Sequence, residues 1–117
     1  MNASTMVKAI ALLTRKDGIT HEQFVRHWVD IHAPMAFDIP AVKRYHLNFI
    51  VAEPTRSDMP SMNLAGTVDG IAEIWFESEP AYREFRASDA ARRWLADGAT
   101  FIGRGQSFLC TEQVIIA

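Results

Sequence analysis

Apolar and polar positions change period several times along the chain, and each change marks an element. Residues 6–14 read Met-Val-Lys-Ala-Ile-Ala-Leu-Leu-Thr, apolar at both parities, which is the pattern of a strand covered on both faces. Arg15-Lys16-Asp17-Gly18 is a polar turn. Thr20 follows as a helix N-cap with Gln23 three residues on, the spacing of a capping box, and Ile19 and Phe24 stand where a hydrophobic staple joins them. At 100° per residue Phe24, Val25, Trp28, Ile31, His32 and Met35 share one face of this helix, while Gln23, Arg26 and Asp30 share the other with Arg26 and Asp30 spaced to pair. Pro34 ends the helix near His32 or allows one last turn, and Pro40 closes the connection.

Over residues 42–51, Tyr45, Leu47, Phe49 and Val51 alternate with His46, Asn48 and Ile50, which predicts a second strand. The stretch 53–68 holds Pro54, Pro60 and Gly66 without periodicity, too long for a hairpin turn, so it reads as a long central loop. Met59, Met62 and Leu64 within it suggest packing against another surface. Asp69-Gly70 opens a third strand at 71–76. Ser78 caps the next helix, with Pro80 in its first turn. Ser88 caps a second segment that carries Ala91, Trp94 and Leu95 and stops at Asp97-Gly98. Phe101 to Gly105 then reads as a glycine-punctuated connection into a fourth strand at 107–116. Strand, helix, strand, strand, helix, strand is the split βαβ order of an α+β, ferredoxin-like sandwich, with one antiparallel sheet and both helices on one face. The other face also looks apolar, and the sheet of a second copy is its simplest cover.

Composition narrows the class. A chain of 117 residues, 49% hydrophobic and 22% charged, is one globular domain; 6–117 form it, and 1–5 read as a disordered N-terminal segment. A net charge of −2 with scattered basic residues argues against nucleic acid. The single cysteine, Cys110, excludes an internal disulfide framework and fits a reducing, cytoplasmic setting. No apolar run is long enough to span a bilayer, and 1–5 lack the features of an export signal. The histidines show no metal-ligand spacing and Gly103-x-Gly105 lacks the context of a dinucleotide fingerprint, so no cofactor is expected.

Several segments together resemble a known family. They are residues 6–16, the run Thr20-His-Glu-Gln-Phe-Val-Arg-His-Trp-Val-Asp-Ile-His-Ala-Pro34, Val42-Lys-Arg-Tyr45, Asp69-Gly-Ile-Ala-Glu-Ile-Trp-Phe76 and Phe101-Ile-Gly103. The chain resembles the EthD family of dimeric α+β barrels over nearly its whole length, most specifically at His32-Ala33-Pro34 and Glu73-Ile74-Trp75-Phe76. The central loop and Phe101-Ile102-Gly103 look closest to its methylmuconolactone methylisomerase branch, which rearranges a ring lactone in aromatic catabolism without a cofactor. That resemblance implies a homodimer and puts the branch's catalytic histidine and tyrosine at His32 and Tyr45. Its loop histidine falls on Asp58 and its strand cysteine on Ile74, two departures.

Each candidate has a functional and a structural reading. His32, on a buried stripe, needs a partner or a cavity, and its imidazole can act as acid or base at neutral pH; otherwise it is a core or interface histidine. Tyr45 starts a strand near the end of the first helix, where its phenol can meet His32 or a substrate oxygen, or it is a strand residue with a wet tip. Asp58 is either a solvated turn residue or, if the loop folds over, the group that holds the His32 tautomer. Glu73, in an apolar strand, requires a donor or an edge, as acid or base or as half of an interface pair. Trp28, Trp75, Trp94 and Phe101 either wall an aromatic substrate pocket or fill the core. His46 and Asn48 share a strand face, and His21 and His27 read as surface residues. Two functions remain open: a cofactor-independent isomerase, dehydratase or cyclase with His32 as acid/base on a small cyclic or lactone substrate, with cofactor-free oxygenation as a variant; or a non-catalytic, dimeric ligand-binding or accessory protein.

Overall fold

The computed structural model describes residues 6–117, and the expectation of disorder at 1–5 lies outside them. In chain order the elements are β1 (Val7–Arg15), α1 (His21–His27) running into a π-helical turn (Trp28–His32) and a 3₁₀ segment (Ala33–Asp38), β2 (Arg44–Asn48), β3 (Gly70–Phe76), α2 (Glu79–Arg86), α3 (Asp89–Gly98) and β4 (Ile102–Thr111). The strands form one antiparallel sheet in the order β2-β3-β1-β4, with the helices on one face. This is the expected ferredoxin-like α+β arrangement.

Helix starts follow local chemistry. The Thr20 hydroxyl accepts from the Gln23 amide while the Gln23 side chain accepts from the Thr20 amide, and Ser78 and Ser88 accept from the amides of Ala81 and Ala91. Strand parity then sorts side chains between two faces. Val7, Ala9, Leu13, Ala72 and Phe76 point at the helices into two core clusters, one around Phe76, Phe85 and Trp94 and one around Phe24, Trp28 and Phe101, with Tyr45 packed against both. The opposite face carries Lys8, Ile10, Leu12, Glu73, Trp75, His46, Asn48, Phe108 and Cys110 by the same register.

Three boundaries differ from expectation. The first helix does not stay α-helical to His32: the wider π turn changes the angular spacing from Trp28 onward, and Arg26 and Asp30 form no ion pair among the described residues. The second strand is only Arg44–Asn48, and no strand or helix occurs between Asn48 and Gly70. Met59 and Met62 in that interval are 55% and 83% exposed, so within one chain they do not pack as expected. The fourth strand begins at Ile102, five residues earlier than predicted, and ends at Thr111 rather than at Ile116. Gly103 permits close approach there: a Cβ would lie 2.8 Å from the Arg15 carbonyl oxygen, beside the register shift at Thr14/Arg15. Gly70 is needed for a similar reason, because a Cβ would meet Cη2 of Trp28 at 2.7 Å.

Candidate active site

A cavity of about 170 Å³ lies between the helix-covered face of the sheet and α2 and α3. Ala9, Ala11, Ala72 and Ile74 form its floor, Phe76, Phe85 and Trp94 its aromatic wall, and His32, Tyr45, Tyr82, Arg86 and Ser107 its polar groups. The small floor residues leave the space that larger strand side chains would fill. A wider groove of about 540 Å³ runs outside, between the 3₁₀ segment and β2, and shares Tyr45; its lining holds no histidine or carboxylate. Of the two, only the smaller cavity holds a group that titrates near neutral pH.

His32 ends the π turn and is 9% exposed. Its backbone carbonyl accepts a 3.0 Å hydrogen bond from the Trp94 indole, and the Trp94 ring lies nearly parallel to the imidazole at a centroid distance of 5.3 Å. Nδ1 of His32 meets Oδ2 of Asp97 at 2.8 Å. With a carboxylate as acceptor, Nδ1 carries the proton and Nε2 presents its lone pair. Nε2 has no hydrogen-bond partner among the described residues and is not sealed among protein atoms. Burial pushes the His32 pKa down from its ordinary 6.5, against the upward pull of Asp97, and so favours the neutral ring.

Asp97 stands in the last turn of α3 and also accepts from Nε2 of His27 at 3.1 Å. Burial raises its carboxyl pKa, yet the hydrogen bonds from His32 and His27 outweigh that and leave it below the ordinary value. Tyr45 packs edge-on against Trp94, with ring centroids 5.3 Å apart. Burial raises its phenol to about 12, with Trp28 pulling slightly the other way, so the hydroxyl keeps its proton at neutral pH.

Among the residues singled out from the sequence, His32 and Tyr45 come together at this cavity. Trp28 and Phe101 lie behind it in the core cluster, with Phe101 5.2 Å from the His32 ring between centroids. Asp58 does not join them. It stands in the exposed loop and pairs bidentately with Arg56 two residues away, at 3.0 and 2.6 Å; Asp97 holds His32 instead. Glu73 and Trp75 are also elsewhere, because their strand parity turns them to the opposite face from Ile74. There Glu73 accepts from Lys8 at 2.9 Å and from Asn48 at 3.1 Å, and Lys8 and Arg44 lie over the Trp75 ring. His27, expected at the surface, is tied to Asp97, while His21 bonds the buried carboxylate of Asp69 at 2.9 Å.

Asp97 is the residue that sequence reasoning missed. One signal was present: a carboxylate in the last turn of a helix opposes the helix dipole, and α3 has no basic residue there to offset it. Such a charge needs a partner from elsewhere in the fold.

The family model for methylmuconolactone methyl-isomerase matches residues 6–116. The chain is 31% identical over 109 residues to 4-carboxymethyl-4-methylbutenolide mutase of Pseudomonas reinekei, covering 93% of this chain and 100% of that protein. An EthD (ethyl tert-butyl ether) family protein of Bacillus halodurans superposes with a TM-score of 0.73 at 21% identity, covering 92% of this chain and 99% of the other. A dimeric ferredoxin-like protein of unknown function from Thermobifida fusca gives a TM-score of 0.67 at 18% identity, covering 92% and 91%.

Proposed function

Because the chain belongs to the methylmuconolactone methyl-isomerase family, we propose that it isomerises a small ring lactone by proton transfer through His32. The observation that carries this reading is the pairing of His32 Nδ1 with Asp97, which leaves Nε2 unpartnered in a residue that lines the cavity. Neutral Nε2 takes a proton from the methylene that joins the lactone ring to a side-chain carboxylate, and the imidazolium so formed is stabilised by Asp97. The electron pair forms a C=C bond to the ring carbon as that carbon's bond to the ring oxygen breaks, and the oxygen leaves as part of a carboxylate toward which Tyr45 donates from its protonated hydroxyl. The side-chain carboxylate then closes a new lactone by adding to the C=C bond conjugated with the first carboxylate while Nε2 returns the proton to the neighbouring carbon, so the isomerisation changes neither protons nor electrons overall. A volume of about 170 Å³ suits a substrate smaller than those held in typical drug-sized pockets of about 300–1,000 Å³. Ile74 makes the floor apolar where the resemblance implies a cysteine, so this chemistry uses no thiol.

Two copies pair, on this reading, through the face of the sheet that no helix covers. Ile10, Leu12 and the 53%-exposed Phe108 share that face, and the similar Thermobifida fusca protein is dimeric. Burial of such a patch is the usual reason for its exposure in a single chain.

The test uses 4-carboxymethyl-4-methylbutenolide, the compound that the mutase is named for, followed by proton NMR in deuterated water with wild type and His32→Ala. An isomer formed by wild type alone, with deuterium in its carboxymethyl group, is expected. Binding without conversion would overturn the reading in favour of an accessory protein, and oxygen uptake would overturn it in favour of a cofactor-free oxygenase.

A further inference from the structure

We propose that Arg86 and Tyr82 form an anion subsite in the same cavity, one that takes the carboxylate of the substrate. The proposal rests on the lactone-isomerase reading for the identity of the substrate, but not for the binding chemistry.

Arg86 supplies the only permanent charge among the residues that line the cavity; the remainder are apolar or neutral polar apart from His32. Two other arginines on these helices are neutralised locally, whereas Arg93 has no ion pair among the described residues but does not line this cavity. Arg83 pairs with Glu79 one turn before it, and Arg92 pairs with Asp89. Arg86 has no carboxylate within ion-pair distance among the described residues. Its Nη1 donates instead to the Tyr82 hydroxyl oxygen at 2.9 Å, and its guanidinium carbon lies 5.8 Å from the centre of the Tyr82 ring.

That contact has a chemical consequence. Because the Tyr82 oxygen accepts from Arg86, its own proton remains free to be donated. The remaining guanidinium N–H groups are also free, so two side chains present donors and positive charge without an acceptor. Ser107, across the cavity on β4, adds a hydroxyl without a side-chain hydrogen bond among the described residues. A carboxylate on a small ring satisfies all three while its ring occupies the apolar part of the cavity near His32.

Intrinsic tryptophan fluorescence provides the test, since Trp94 lines the cavity. Wild type, Arg86→Met and Tyr82→Phe are titrated with cyclopentylacetate and with its neutral counterpart, cyclopentylacetamide. Arg86 is exposed, so its replacement leaves the core intact, and equal melting temperatures check this. Wild type should bind the carboxylate about 10-fold or more tightly than the amide, the effect of a charge-assisted hydrogen bond. Arg86→Met should erase that preference, and Tyr82→Phe should reduce it. Equal binding of acid and amide by wild type overturns the proposal, as does a preference that survives Arg86→Met or an absence of cyclopentylacetate binding. If the carboxylate preference depends on Arg86 but no lactone is isomerised, the reading of the reaction fails and the anion subsite stands.

Discussion

The two faces of the sheet both meet polar groups, yet they treat them differently. On the uncovered face Lys8 bridges Glu73 and Glu112 at 2.9 and 2.8 Å, Glu73 also accepts from Asn48, and Lys8 and Arg44 cover Trp75. On the helix-covered face His32 is anchored through one nitrogen and leaves the other open, and Arg86 and Tyr82 turn unmatched donors toward a cavity. Lys8, Glu73 and Asn48 pair with one another as a structural network, whereas incomplete pairing beside a cavity marks groups kept for a ligand. A buried polar side chain is informative mainly through the hydrogen bonds it does not make.

The largest test of this contrast is His32→Ala, which should lower kcat by about 100- to 10,000-fold, the usual range for general acid–base catalysis. Gel filtration and near-UV circular dichroism should meanwhile report an unchanged assembly and fold. Early melting with dissociation would make His32 a structural histidine like those of the other face.

Asp97→Asn comes next, with an expected loss of about 10- to 100-fold in kcat, the scale of a charge-assisted hydrogen bond. Asp97 raises the His32 pKa, so its neutralisation should move the acidic limb of the rate profile to lower pH while the plateau falls. A plateau that falls without movement of that limb would indicate mere disruption of packing.

Lys8→Met on the uncovered face should leave kcat unchanged and lower the midpoint of thermal unfolding, because it strands Glu73 half-buried beside Trp75. Differential scanning calorimetry alongside turnover measures both quantities. A loss of activity comparable to that of Asp97→Asn would erase the distinction between the faces.

The smallest effect concerns pH and stability. His32 has a folded-state pKa below its ordinary 6.5, so the unfolded chain binds the proton more readily. Stability from this group is therefore complete above about pH 6.5 and declines as pH falls below it. Wild type should melt earlier at pH 5.5 than at pH 7.5, and His32→Gln should flatten that dependence.

Much of the fold was legible because it is locally encoded. Thr20, Ser78 and Ser88 announce their helices through contacts within three residues, and the element order then admits few topologies. The beginning of β4 was not legible, since Gly103 and Gly105 read as breaks in a strand, while Gly103 serves close passage beside the backbone at the end of β1. For Glu73 and Trp75, alternation separates them from Ile74, but both faces of the strand are apolar and its pattern does not say which one meets the cavity. His32 and Tyr45 stood out by type and position. Asp97 did not, because its meaning depends on a histidine 65 residues away in the chain, and no spacing rule reaches that far.

The π turn at Trp28–His32 makes the angle of the His32 ring a matter of helical phase. Forced to the 3.6-residue spacing of an α-helix with no residue removed, the same stretch would carry every later side chain further about the axis. The His32 ring would then leave both Asp97 and the cavity, although every atom of the chemistry would still be present in the chain. Within this helix the wider turn acts as an adjusting screw: it takes up one residue more than an α turn would and holds the ring at the angle that meets Asp97.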